Sequence, residues 1–201
     1  MKQKEILLFG GSGQIGRNLI RKLSKNNYKL TVVTRNIHQA GYILKTQANP
    51  GYLELVELEN FNIQRIDELI KKTSICINLI GILYEKKKNQ FNIIHRDFPD
   101  LISRISNKYK IEKLIHLSAL GIEQANDSKY ATSKIEGENK LRSNFKNSII
   151  LKPSIVYSVD DNFTTNFMSL LSKLPLMPLY YNGETKFSPI HATDLTNIIY
   201  E

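Results

Sequence analysis

Six short apolar runs, near 4–9, 29–34, 52–58, 74–80, 112–118 and 148–152, alternate with amphipathic stretches near 14–25, 63–72, 89–108 and 129–146. Runs such as Ile6-Leu7-Leu8-Phe9 are apolar on successive residues, so strands built from them bury both faces. That demands a parallel sheet covered by helices on each side. Right-handed crossovers then make the expected fold α/β and doubly wound. Segment 35–51, with Gly41, Asn49, Pro50 and Gly51, has room for a short helix. After Pro153 the alternation fades into a possible helix at 162–173, a loop at 174–178, an aromatic-flanked turn at 180–183 and a last pattern from Asp194. The expected division is a first domain over 1–156 and the start of a smaller C-terminal region over 157–201. The helical pattern reaches Glu201 with no stop signal, which implies a longer natural chain.

The first of these junctions carries chemistry. Phe9-Gly10-Gly11-Ser12-Gly13-Gln14-Ile15-Gly16 spaces Gly10, Gly13 and Gly16 three apart, after an apolar run and before a helical stretch. A diphosphate needs backbone N–H groups with no Cβ in the way, and a helix start supplies those donors and a positive dipole end. The plain alternative is a βα turn; the flanking strand and helix patterns favour the nucleotide site.

Composition excludes some classes. The net charge of +9 is spread along the chain, and the longest basic run is only Lys86-Lys87-Lys88. No nucleic-acid partner is expected; the run reads as a solvated loop or a contact for anionic lipid or an acidic subunit. Cys76 stands in a buried strand pattern and His116 in another, both as packing residues. His95 falls in a helical pattern and His191 in a loop, neither at metal-ligand spacing, so no metal is expected. No secretion signal or apolar run of about 20 residues is present, so the expected place is the reducing cytoplasm, without a transmembrane segment.

Three further stretches fit the glycine turn. Arg35, at the tip of the second strand pattern, is placed to meet an adenosine 2′-phosphate, which favours NADP(H) over NAD(H). Asn78-Leu79-Ile80-Gly81 ends the fourth pattern, where glycine lets backbone lie against the ribose side or merely ends a strand. Ser118 ends the fifth, and Tyr130 and Lys134 follow at helical spacing on one face. A lysine there is expected to lower the tyrosine pKa and fit it for proton transfer, with Ser118 on a substrate carbonyl.

In this order the residues resemble the short-chain dehydrogenase/reductase superfamily, in its extended and atypical branch, over almost the whole chain. The stretches Asn78-Leu79-Ile80-Gly81-Ile82-Leu83-Tyr84-Glu85, Phe91 with His95, Leu151-Lys152-Pro153-Ser154-Ile155-Val156-Tyr157, Asp161-Asn162-Phe163 and Phe187-Ser188-Pro189-Ile190-His191 are similar to the nucleotide-binding accessory subunits of respiratory complex I (NADH:ubiquinone oxidoreductase) and their bacterial relatives. The resemblance implies a Rossmann-type domain with most of the C-terminal substrate domain missing. Gly10, Gly11, Ser12, Gly13, Gln14, Ile15 and Gly16 would hold the diphosphate and Arg35 the 2′-phosphate. Leu79, Ile80 and Gly81 would lie at the ribose side, Tyr130 and Lys134 at the nicotinamide ribose, and Pro153 and Ser154 beside the nicotinamide. It further implies a cofactor held for structure or assembly near quinone metabolism, with complex I subunits as partners and a peripheral place on the inner face of the membrane. The alternatives are an active NADP-dependent reductase, dehydrogenase or epimerase using Ser118, Tyr130 and Lys134, and a nucleotide-sensing regulator. Glu57-Leu58-Glu59-Asn60-Phe61 departs from the usual Asp toward adenine, and Ser158-Val159 from the usual Gly-Pro.

Overall fold

The computed structural model describes residues 4–125, 127–159, 161–173, 182, 184 and 186–201. The loop expected at 174–178 lies outside them, as does most of the turn at 180–183.

Six parallel strands form one sheet in the order β3-β2-β1-β4-β5-β6. They are β1 (Glu5–Phe9), β2 (Lys29–Thr34), β3 (Leu53–Glu57), β4 (Ile75–Asn78), β5 (Lys113–Leu117) and β6 (Ser148–Leu151). The chain leaves β1 toward β2 and β3, then returns past it to β4, so the sheet reverses direction between β1 and β4. A crevice opens at the carboxyl ends of strands that diverge in this way.

Both faces are covered, as the continuous apolar runs require. Ile6 and Leu8 meet one layer, with Leu19, Ile20 and Leu23 of α1 (Gln14–Lys25) and Leu44 of α2 (Ile37–Lys45). Leu7 and Phe9 meet the other, with Ile66 and Ile70 of α3 (Ile63–Lys71), Phe98 and Ile102 of α4 (Phe98–Tyr109), and Leu141 of α5 (Lys129–Asn144). Phe98 anchors that layer, edge-on to Phe9 with ring centroids 5.0 Å apart and stacked on Phe61 at 4.2 Å.

The helix expected over 89–108 is two structures: a π-helical turn at Asn92–Asp97, then α4. The π turn packs closely on α5: a Cβ on Gly137 of α5 would stand 1.8 Å from the carbonyl oxygen of His95. The segment 35–51 does hold a helix, α2, whose first turn is closed by the Asn36 side chain.

Beyond β6, the two-residue strands β7 (Val156–Tyr157) and β8 (Ile190–His191) pair in parallel, and α6 spans Asn162–Lys173. The last helix, α7 (Ala192–Tyr200), begins two residues before the expected Asp194, and His191, expected in a loop, belongs to β8 and caps it. Leu195 and Ile199 join the α1 layer, and Tyr200 donates a 3.2 Å hydrogen bond to Asn26. This part of 157–201 therefore packs on the sheet's own helical layer.

Candidate dinucleotide groove

A groove of about 500 Å³ lies at the carboxyl ends of β1 to β4. Gly10, Ser12, Gly13, Arg35, Leu79, Ile80 and Gly81 all line it. Gly10 turns the chain at φ +82°, and a Cβ there would meet the Leu79 carbonyl carbon at 2.9 Å. Only glycine combines that conformation with that closeness. Gly13 differs: a Cβ on it would find only the Gly10 oxygen, at 3.5 Å, and otherwise open space. The other motif residues serve packing. A Cβ on Gly11 would collide with Val32, and one on Gly16 with the backbone of Gly10 and Gly11, so α1 can lie against β1. Ile15 packs on the α1 layer, and Gln14 donates to the Val156 carbonyl at 3.4 Å.

The start of α1 lacks the side-chain cap that closes α2, α3, α5, α6 and α7; α4 lacks one too, but it continues directly from the π turn. Asn36, Asn62, Ser128, Asp161 and His191 accept from backbone N–H groups in the first turns of α2, α3, α5, α6 and α7. α1 begins on Gly13, which has no side chain to do so. First-turn N–H groups need an acceptor, and at α1 the end of the helix borders the groove. A phosphate oxygen meets that need and the dipole together. The residues present thus fit a dinucleotide diphosphate.

Across the sheet, a second cluster gathers Ser118, Tyr130 and Lys134 at the ends of β5 and α5. Lys134 is 4% exposed, and its Nζ donates to the Leu117 carbonyl at 3.4 Å and stands 5.6 Å from the Tyr130 ring centroid. Ser118 is buried, and its hydroxyl has no hydrogen-bond partner among the described residues. Pro153 and Ser154 are half-buried just after β6, where the Pro153 carbonyl accepts from Leu120 N–H at 2.9 Å. Gly81 joins the two regions: it lines the groove, and a Cβ on it would stand 3.8 Å from Lys134 Nζ.

The electrostatics of this cluster correct one expectation. Burial raises the Tyr130 phenol above its ordinary value, and burial lowers the Lys134 ammonium to about 8, with nearby Glu138 opposing the fall. The lysine therefore does not pull the phenol down: desolvation outweighs the cation, which lies over the ring with its charge turned to a backbone carbonyl.

Two residues that the sequence does not mark as site residues hold this geometry. Asn78, fully buried at the end of β4, donates to His116 Nδ1 at 3.1 Å and accepts from Ile80 N–H at 3.1 Å. His95, buried in the π turn, accepts from Ile82 N–H at its Nε2 (3.1 Å), which leaves Nδ1 as the donor to Ser133 Oγ (3.1 Å). The two side chains fasten the 79–82 strap to β5 and α5. Burial lowers His95 to about 4 and His116 to about 3, with Lys134 adding to both, so both are neutral. The π distortion and the run of Asn78 before Leu79-Ile80-Gly81 are the signals that could have found them. Among the described residues no three His, Cys, Asp or Glu side chains gather as a metal site needs, and no helix is long and apolar enough to cross a membrane.

Comparison with known proteins finds a matching family model, distant relatives and structures of the same fold. The model of the NAD dependent epimerase/dehydratase family matches residues 6–200. The mitochondrial NADH-ubiquinone oxidoreductase 40 kDa subunit of Neurospora crassa is 25% identical over 189 residues, covering 94% of this chain and 49% of that protein. A ceramide reductase of Caulobacter vibrioides is 22% identical over 191 residues, covering 94% of this chain and 57% of that one. This chain thus spans about half the length of the curated relatives it matches. The Bordetella bronchiseptica enzyme WbmG, solved in complex with NAD, superposes with a TM-score of 0.74 at 14% identity, over 99% of this chain and 68% of that one.

Proposed function

Because the chain belongs to the NAD dependent epimerase/dehydratase family, we propose that it binds a nicotinamide dinucleotide along the carboxyl edge of its sheet and holds it for structure or assembly beside the respiratory chain. The observation that carries the binding is the start of α1, which leaves its first turn to an acceptor in the groove while the side chains of Asn36, Asn62, Ser128, Asp161 and His191 close other helices. Gly10, Ser12 and Gly13 take the diphosphate, and Leu79, Ile80 and Gly81 the ribose side. Arg35, which lines the groove at the end of β2, supports NADP(H) over NAD(H). Tyr130 and Lys134 hold the nicotinamide ribose near Ser118, Pro153 and Ser154. The likeness to the 40 kDa subunit supports complex I subunits as partners and a peripheral place at a membrane.

A second reading, an active NADP-dependent reductase, is favoured by the buried Ser118 hydroxyl, which has no partner among the described residues and follows Leu117, whose carbonyl accepts from Lys134. A bound nicotinamide would supply hydride exchange. This chain's part would be to orient a substrate carbonyl with Ser118 and to pass a proton at the Tyr130 hydroxyl. The deciding experiment is purification from its native source with mass spectrometry of bound nucleotide and co-purifying subunits. Stoichiometric dinucleotide, membrane-complex subunits and no turnover are expected. Steady NADPH oxidation by a free monomer would sink the first reading and leave the second.

A further inference from the structure

The run Lys86-Lys87-Lys88 sits on a braced loop. Gln90 Oε1 accepts from the N–H groups of Lys86 (2.8 Å) and Lys87 (3.1 Å), and Glu85 Oε1 accepts from Phe91 N–H at 2.9 Å. Asn89 closes the turn at φ 68°, and its Oδ1 accepts from Asn92 Nδ2 at 2.6 Å. So held, Lys87, Lys88 and Gln90 line the same groove as Arg35 and Gly13, whereas Lys86 does not. The loop spends its polar side chains on its own backbone and leaves the lysine side chains without an ion pair among the described residues. Arg35 likewise has none, and the groove's lining carries one acid, Glu59. Three cations against one carboxylate give this concave site a net positive lining, which favours an anion there.

We propose that Lys87 and Lys88 bind a phosphate group of the dinucleotide, as a second basic wall contributed after β4. This rests on the dinucleotide reading above. The phosphate is either the 2′-phosphate that Arg35 meets or the diphosphate over Gly13. A Lys87→Gln/Lys88→Gln double variant, with Lys86→Gln as control, is titrated with NADPH and with NADH beside the unaltered protein, and melting is followed without nucleotide. The double variant loses affinity by roughly tenfold or more, the worth of charge-assisted hydrogen bonds, while Lys86→Gln and the nucleotide-free melting point stay put. Loss toward NADPH alone assigns the lysines to the 2′-phosphate; equal loss toward both assigns them to the diphosphate. Unchanged affinity for both, or an equal loss in Lys86→Gln, overturns the proposal. If the unaltered protein binds neither nucleotide, the dinucleotide reading itself fails and takes this one with it.

Discussion

Substituting Gly137 by alanine tests the close contact that shapes the site. In an exposed helix this change raises stability, because alanine favours helix over glycine by about 1 kcal/mol. In α5 the added Cβ would stand 1.8 Å from the His95 oxygen, 2.9 Å from its carbonyl carbon and 3.4 Å from Arg96 Cα. Carbon and oxygen pack at about 3.3 Å, so α5 and the π turn must part by about 1.5 Å. The obstacle is backbone, which cannot swing aside. Such overpacking costs about 1–3 kcal/mol, and the parting breaks the 3.1 Å bond between His95 and Ser133, at a further cost of about 1 kcal/mol. Net of the helix gain, the variant is less stable by about 2 kcal/mol, and its melting point falls by about 4–8 °C for a domain of this size. Gly41→Ala in α2 is the control, since its Cβ meets only side-chain atoms, at 3.3 and 3.5 Å. It should hold or raise the melting point. Denaturant and thermal unfolding of both variants decide the matter, and a Gly137→Ala protein as stable as the unaltered one refutes the reasoning.

Three more outcomes follow from the same site. Lys134 carries an ammonium that burial lowers to about 8 against 10.5 in the unfolded chain; the unfolded state then binds more protons, so stability rises from about pH 8 to 10.5. Lys134→Met should remove that rise and stabilise the nucleotide-free protein at pH 7 by up to about 3 kcal/mol, read by denaturant midpoints. His95 and His116, lowered to about 4 and 3, resist protons that the unfolded chain accepts near 6.5, so stability is present above that pH and falls as pH drops toward 4; a flat melting curve from pH 6.5 to 4 would contradict their burial as neutral groups. Ser118→Ala deletes a buried hydroxyl with no partner among the described residues, so the melting point should hold or rise, whereas the reductase reading requires turnover to fall by about 100-fold.

Local pattern located most elements because both signals it uses, apolar continuity and helical spacing, survive in single segments. The run near 29–34 is β2 (Lys29–Thr34), and the stretch at 14–25 is α1. The π turn escaped because Gly137, which packs against it at His95 and Arg96, lies some forty residues further along the chain and meets them only in the fold. The Tyr130 pKa was misjudged because spacing reports which cation is near but not how dry the phenol is. Lys87 and Lys88 are exposed, as the charge run suggests, but the run alone does not tell that they border the groove on a loop braced by Gln90. In the glycine turn the residue types were legible, while the separation of groove-facing Gly13 from packing Gly11 and Gly16 needed coordinates.

The reversal of the sheet between β1 and β4 bears on how the protein matures. The groove draws on residues from Phe9 to Ile94, in four separate segments, so no contiguous fragment shorter than this span contains it. Its two central walls meet only when β1 pairs with β4 across some seventy residues of chain, a slow, non-local step. A dinucleotide that fills the groove recognises the chain only after that step, so its binding drains the folding equilibrium toward the assembled topology by RT ln(1 + [L]/Kd). In a cell, nucleotide supply would then set how much of this protein survives in the folded form.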